Sequence, residues 1–98
     1  MTKDPALARF GKAVRARRRA AGLSQEGLAE RSDLHRNYVG GVERGERNLG
    51  YMNVLALARG LGCPPAALVA DAEGPVEPPP EPAPGSVREP PRERFLIL

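Results

Sequence analysis

At 98 residues the chain has room for one small domain, and with two Phe, two Tyr and no Trp its core must come from Leu, Val and Ala, which suits short helices better than a β-sandwich. One cysteine, Cys63, excludes an internal disulfide framework; with no apolar run near the roughly 20 residues of a membrane span and no secretory segment, a soluble, cytoplasmic protein is expected. The net charge of +3 is unevenly spread: residues 1–70 hold 12 Lys/Arg against 6 Asp/Glu, and residues 71–98 hold 3 against 6. A basic compact part with an acidic tail points to a polyanion partner, although solvated helix faces are often basic as well.

Within 1–70 the pattern predicts five helices and an all-α fold. Asp4 and Pro5 supply an N-cap and a first-turn proline for a helix to about Ala21, with Leu7, Phe10, Val14 and Arg18 on one side and Gly22 at its end. Ser24 caps the second helix, in which Leu28 and Ala29 face inward. A turn at Ser32-Asp33-Leu34 leads to the third helix, roughly His35 to Arg44, with Val39 and Val42 toward the core and Gly45 as its stop. The fourth, about Tyr51 to Leu61, places Val54, Leu57, Ala58 and Leu61 on one face and ends at Gly62. Pro64 and Pro65 open a short fifth helix containing Leu68 and Val69.

The chain divides near Asp71, giving a helical domain over 1–70 and a tail over 71–98. The tail holds eight of the prolines (Pro75, Pro78, Pro79, Pro80, Pro82, Pro84, Pro90 and Pro91), a density that predicts an extended, largely disordered segment. Its last residues, Phe95-Leu96-Ile97-Leu98, are apolar. They suit a docking peptide for a protein partner, a cover for the domain's own apolar surface, or an end without a role.

The chemistry is concentrated between Ser24 and Asn48, where two short helices joined by a tight turn have the shape that lays one helix in the major groove of DNA. With Val39 and Val42 buried, Arg36, Asn37, Gly40 and Gly41 are expected on or near the outward face of the third helix. Arg36 can bridge guanine O6 and N7, and Asn37 adenine N6 and N7, each through two hydrogen bonds. Tyr38 is long enough to reach a phosphate or a thymine methyl. Taken alone, these residues also fit an ordinary solvated first turn.

Residues 7–69 resemble the Cro/repressor-type helix-turn-helix family, the lambda-repressor-like DNA-binding domains. The resemblance is carried by Arg18, Gly22-Leu23-Ser24-Gln25, Leu28-Ala29, Val39, Val42-Glu43-Arg44-Gly45, Ala58 and Leu61-Gly62. Within that family, Leu34-His35-Arg36-Asn37-Tyr38 and Gly41 to Asn48 are most similar to the controller proteins that time restriction–modification operons. The resemblance implies a dimeric, sequence-specific transcription regulator that binds a short, near-palindromic operator in double-stranded DNA.

It also implies roles for single residues. Arg36 and Asn37, with Tyr38 beside them, match base-reading positions. Gln25 matches a phosphate ligand that braces the recognition helix, a role its place at a helix N-terminus also suits. Arg47 and Asn48 match a loop that tracks the backbone, Asn53 is a further phosphate candidate, and His35 either caps the third helix or touches phosphate. Arg18 and Glu43 match an internal ion pair between the first and third helices. Arg15, Arg17 and Arg19 are read as solvated contributors to the positive field.

Gly41 departs from the family pattern, because relatives often carry a base-reading side chain there. Its glycine fits either close backbone approach to DNA or relaxed constraint on an exposed face. Gly27, Gly40 and Gly41 each cost about 0.5–1 kcal/mol relative to Ala inside a helix, which makes stability dependent on dimerisation. Candidates for a two-fold interface are Leu55, Leu68 and Val69, with Leu68 equally suited to the core.

No other chemistry is supported. His35 and Cys63 do not form a metal-ligand cluster, and no phosphate loop, nucleophile–base constellation or cofactor site is present, so neither a metal nor an enzyme activity is expected. Cys63 reads as a small buried hydrophobe. The rival to a regulator is an antitoxin or adaptor whose tail binds a partner.

Overall fold

The computed structural model describes residues 4–74, which form five helices: α1 (Pro5–Ala20), α2 (Gln25–Ser32), α3 (Arg36–Glu43), α4 (Tyr51–Leu61) and α5 (Pro65–Glu73). The starts of α1 and α2 have a local cause. The Asp4 carboxylate accepts from the Ala6 amide at 2.8 Å and the Ser24 hydroxyl from the Gly27 amide at 2.9 Å, satisfying donors that a helix N-terminus leaves over.

The ends of α1 to α4 share one solution. Residues 22, 33, 45 and 62 take a left-handed backbone, and the following amide bonds back five residues, as in Leu23 N–H to Arg18 C=O and Glu46 N–H to Gly41 C=O. Three of these stops are glycines expected from the sequence. The fourth is Asp33 (φ 55°), a residue type that tolerates this conformation, and it makes the turn between α2 and α3.

Val14, Leu28, Val39, Val42, Leu57 and Leu68 are fully buried, and Ala13, Ala29, Ala58 and Ala72 fill between them. Small residues let the helices close. A Cβ on Gly11 would lie 2.3 Å from the Val42 carbonyl oxygen, so α1 crosses the end of α3 at backbone contact. A Cβ on Gly60 would lie 2.2 Å from the Ser32 hydroxyl, so α4 packs its backbone against that side chain of α2. The Ser32 hydroxyl is buried there without a hydrogen-bond partner. α1 also packs along α5.

Two expectations change. Leu68 is fully buried within the protomer, so it is a core residue and not part of a two-fold interface. The fifth helix runs to Glu73, so the ordered helical unit continues past residue 70. Asp71 and Glu73 of the acidic segment belong to it: Asp71 pairs with Arg17 and Glu73 with Arg9 at 3.5 Å. The prolines from Pro75 onward and Phe95-Leu96-Ile97-Leu98 lie outside the described residues. Among those described, no single helix is long and apolar enough to cross a membrane.

Candidate nucleic-acid interface

The inward pull of Val39 and Val42 fixes the orientation of α3 and leaves Arg36 and Asn37, in its first turn, exposed. Neither of these two side chains is engaged by another group among the described residues, in contrast to the polar residues around them. They line one side of a polar cleft of about 380 Å³, completed by Gln25, Gly40, Arg44 and Arg47. Three arginines and two amides thus converge on one shallow surface, a donor-rich arrangement suited to phosphate oxygens and base edges.

Beneath the cleft, the Glu43 carboxylate is wholly buried and holds the site together. Arg18 grips both of its oxygens, Nε to Oε2 at 2.6 Å and Nη2 to Oε1 at 3.0 Å, while its Nη1 donates to the Leu23 carbonyl at 2.9 Å. Arg15 Nε and Gln25 Nε2 also donate to Oε1, at 3.3 and 3.1 Å. Burial alone would raise the Glu43 pKa, but the hydrogen bonds from Arg18, Gln25 and Arg15 with the Arg18 charge outweigh it, and the net shift is downward. The same carboxylate raises the pKa of Arg18. The expected Arg18–Glu43 pair is therefore present as the hub of α1, α2 and α3. Gln25 is fastened to it, which fixes the side chain at the edge of the cleft.

Two of the arginines read as solvated are engaged: Arg15 with Glu43 and Arg17 with Asp71. Arg17 also lowers the Asp71 pKa through their hydrogen bond.

A second polar group flanks the cleft. The Tyr38 hydroxyl accepts from Asn53 Nδ2 at 2.9 Å, tying α3 to α4, and the Arg47 guanidinium lies 5.9 Å from the Tyr38 ring centroid. Asn48 is exposed beside Arg47. The His35 ring caps α3, its Nδ1 accepting from the Asn37 amide at 3.4 Å, so the capping alternative is the one the geometry favours.

Gly40 and Gly41 lie on the outward side of α3, beside the cleft, but are not open to solvent. Both are buried, Gly40 under Arg44 and Gln25 and Gly41 under Arg47, because side chains from neighbouring positions fold across the glycines. Arg44 was not singled out by sequence reasoning. Its signal was available in a basic residue one turn beyond Gly40 at the end of the recognition helix.

Away from this surface, Tyr51 (73% exposed), Met52 (72%) and Val69 (44%) are the large exposed hydrophobics among the described residues. An almost wholly apolar groove of about 590 Å³ runs between α4 and α5, lined by residues that include Tyr51, Val54, Pro65 and Val69. Leu55 is half-buried and does not line it. Cys63 is half-buried against the core. Among the described residues no three His, Cys, Asp or Glu side chains gather as a metal site would require.

A compact five-helix unit whose second and third helices form a helix-turn-helix, with an unencumbered polar first turn on the third, defines a class of DNA-binding domain. The helix-turn-helix family model HTH_3 matches residues 14–68. The chain is 52% identical over 48 residues to control protein C.SmaI of Serratia marcescens, covering 49% of this chain and 57% of that protein, so the match spans little over half of that relative. It is 41% identical over 61 residues to control protein C.BamHI of Bacillus amyloliquefaciens, covering 61% of this chain and 75% of the other. The crystal structure of the restriction–modification controller protein C.AhdI from Aeromonas hydrophila superposes with a TM-score of 0.62 at 53% identity, covering 63% of this chain and 94% of that one. The chain belongs to the helix-turn-helix family and, within it, to the controller proteins, DNA-binding transcription regulators rather than enzymes.

Proposed function

We propose that this regulator binds a short, near-palindromic operator as a homodimer, reads it with Arg36 and Asn37, and controls the genes of a restriction–modification system. The observation that carries the reading is the contrast within one surface. Gln25, Glu43, Tyr38 and Asn53 are tied to other side chains, while Arg36 and Asn37 stand exposed and unengaged at the tip of a rigidly held helix. Donors carried on a fixed helix, with no partner of their own, fit the bidentate readout of guanine and adenine edges.

Around them, Gln25, Arg44, Arg47, Asn48 and Asn53 supply donors for the phosphates on either side. His35, occupied as a cap, contributes through the helix N-terminus it stabilises more than through a contact of its own. One recognition helix covers only a few base pairs, so a second copy is needed about 34 Å away along the duplex. The exposed α4–α5 face with Tyr51, Met52 and Val69 supports pairing there, with the half-buried Leu55 of α4 a further candidate. Such a protein works where the DNA is, in the cytoplasm. The adaptor alternative, resting on a protein partner for the tail, has no comparable observation behind it.

The test is selection of duplexes bound by the full chain from a random pool, repeated with Arg36→Ala. A two-fold symmetric motif that loses information at one position per half-site supports the reading. A motif unchanged by the substitution removes Arg36 from the base-reading set.

A further inference from the structure

Gly41 sits at a position of the recognition helix where a side chain would ordinarily face the groove, yet it is buried. What covers it is Arg47, which follows the helix by four residues. A Cβ at position 41 would lie 2.8 Å from Arg47 Cγ, 2.9 Å from its Nε and 3.4 Å from its Cδ. The stem of Arg47 therefore occupies the volume that any other residue at 41 would fill. The guanidinium rests near the Tyr38 ring, with Cζ 5.9 Å from the centroid, and Tyr38 is itself held by Asn53. Arg47 also lines the polar cleft with Arg36 and Asn37, although it belongs to the loop.

We infer that Gly41 is a positioning residue: by having no side chain, it seats Arg47 across the recognition helix and presents that cation, already oriented, to the DNA. The inference rests on the proposed DNA-binding role and adds a cause for the glycine. A long arginine on an exposed loop loses rotamer freedom when it binds, and a side chain seated beforehand loses less. The glycine itself disfavours the helix, so its removal should strengthen the fold while weakening recognition.

The experiment compares the full chain with Gly41→Ala, Arg47→Ala and the double variant, using the duplex selected by the wild-type chain. Gly41→Ala is expected to lower affinity for that duplex about three- to tenfold, the range for losing one preordered long side chain. It should leave the thermal midpoint equal or higher, and have no further effect once Arg47 is alanine. In the absence of DNA, the Arg47 Nε–Hε resonance should move toward the position of a free arginine side chain in Gly41→Ala.

An equal loss of affinity in both backgrounds would overturn the inference, because the added methyl would then be obstructing DNA directly. An unmoved Arg47 resonance would overturn it as well. A wild-type chain that selects no duplex, with the Arg47 resonance still governed by residue 41, would instead strike down the functional reading beneath it.

Discussion

Arg18 and Glu43 lock the first helix to the end of the recognition helix, with the guanidinium bridging both carboxylate oxygens at 2.6 and 3.0 Å. The carboxylate is wholly buried and is also shared with Gln25 at the cleft edge, so this single acid couples the fold to the orientation of the DNA-facing surface. Removing one partner from a buried pair strands the other, a loss of about 3–5 kcal/mol in comparable cases. Glu43→Ala should lower stability by about that amount in urea unfolding. A change under about 0.5 kcal/mol, the range of ordinary surface substitutions, would show the pair to be inconsequential.

The depressed Glu43 pKa gives the stability a pH dependence of defined sign. Its folded-state pKa lies below the unfolded one, so its contribution is fully present above the ordinary glutamate range and is lost as pH falls through the lower, folded value. Urea midpoints measured from neutral pH into the acid range should therefore fall more steeply for the wild-type chain than for Glu43→Gln. Parallel curves would contradict the assignment.

Arg36→Ala should cost about 1–3 kcal/mol at the specific site and much less on unrelated DNA, since a base-edge contact is lost. Titrations on both duplexes, at one fixed salt concentration, give the ratio directly. Arg47→Ala should behave differently: it should weaken binding across sequences and reduce the slope of log affinity against log salt by about 1. An unaltered slope would take Arg47 out of the phosphate-contacting set.

The apolar α4–α5 face makes a prediction about assembly. Placing a charge at two of its exposed hydrophobics, as Met52→Glu with Val69→Glu, should shift the chain from dimer to monomer in sedimentation while leaving its helical signal intact. A dimer of undiminished strength would place the two-fold axis elsewhere.

The position of the domain's end is also testable. Ala72 is buried and Asp71 is paired with Arg17, so a chain ending at residue 70 should be less stable than one ending at residue 74. Equal thermal midpoints would mean that the last turn of α5 adds nothing.

Much of this architecture is legible in the sequence because its punctuation is local. Asp4 with Pro5, Ser24, Pro65 and the glycines at 22, 45 and 62 act within their own turn of the chain, and the helices they bound lie within a residue or so of where the pattern puts them. The ion pair of Arg18 and Glu43 was accessible through family resemblance. What escaped is set by tertiary packing. Gly11 looks like an ordinary helix-weakening residue until α1 is laid across α3, and Arg15 and Arg17 look solvated until Glu43 and Asp71 arrive from distant elements. Leu68 was ambiguous because periodicity cannot say which face of a short terminal helix meets the core. The cover over Gly41 escaped for a similar reason: it comes from a side chain in the following loop, and no helical periodicity registers that.

The measurement that bears most directly on the central claim is selection of operator DNA by the intact chain, followed by sedimentation of the resulting complex. The expected result is a near-palindromic motif with half-site centres about one helical turn apart, bound by two copies of the chain, and with specificity that falls when Arg36 is replaced. Recovery of no enriched sequence, or of a motif indifferent to both Arg36 and Asn37, would contradict it.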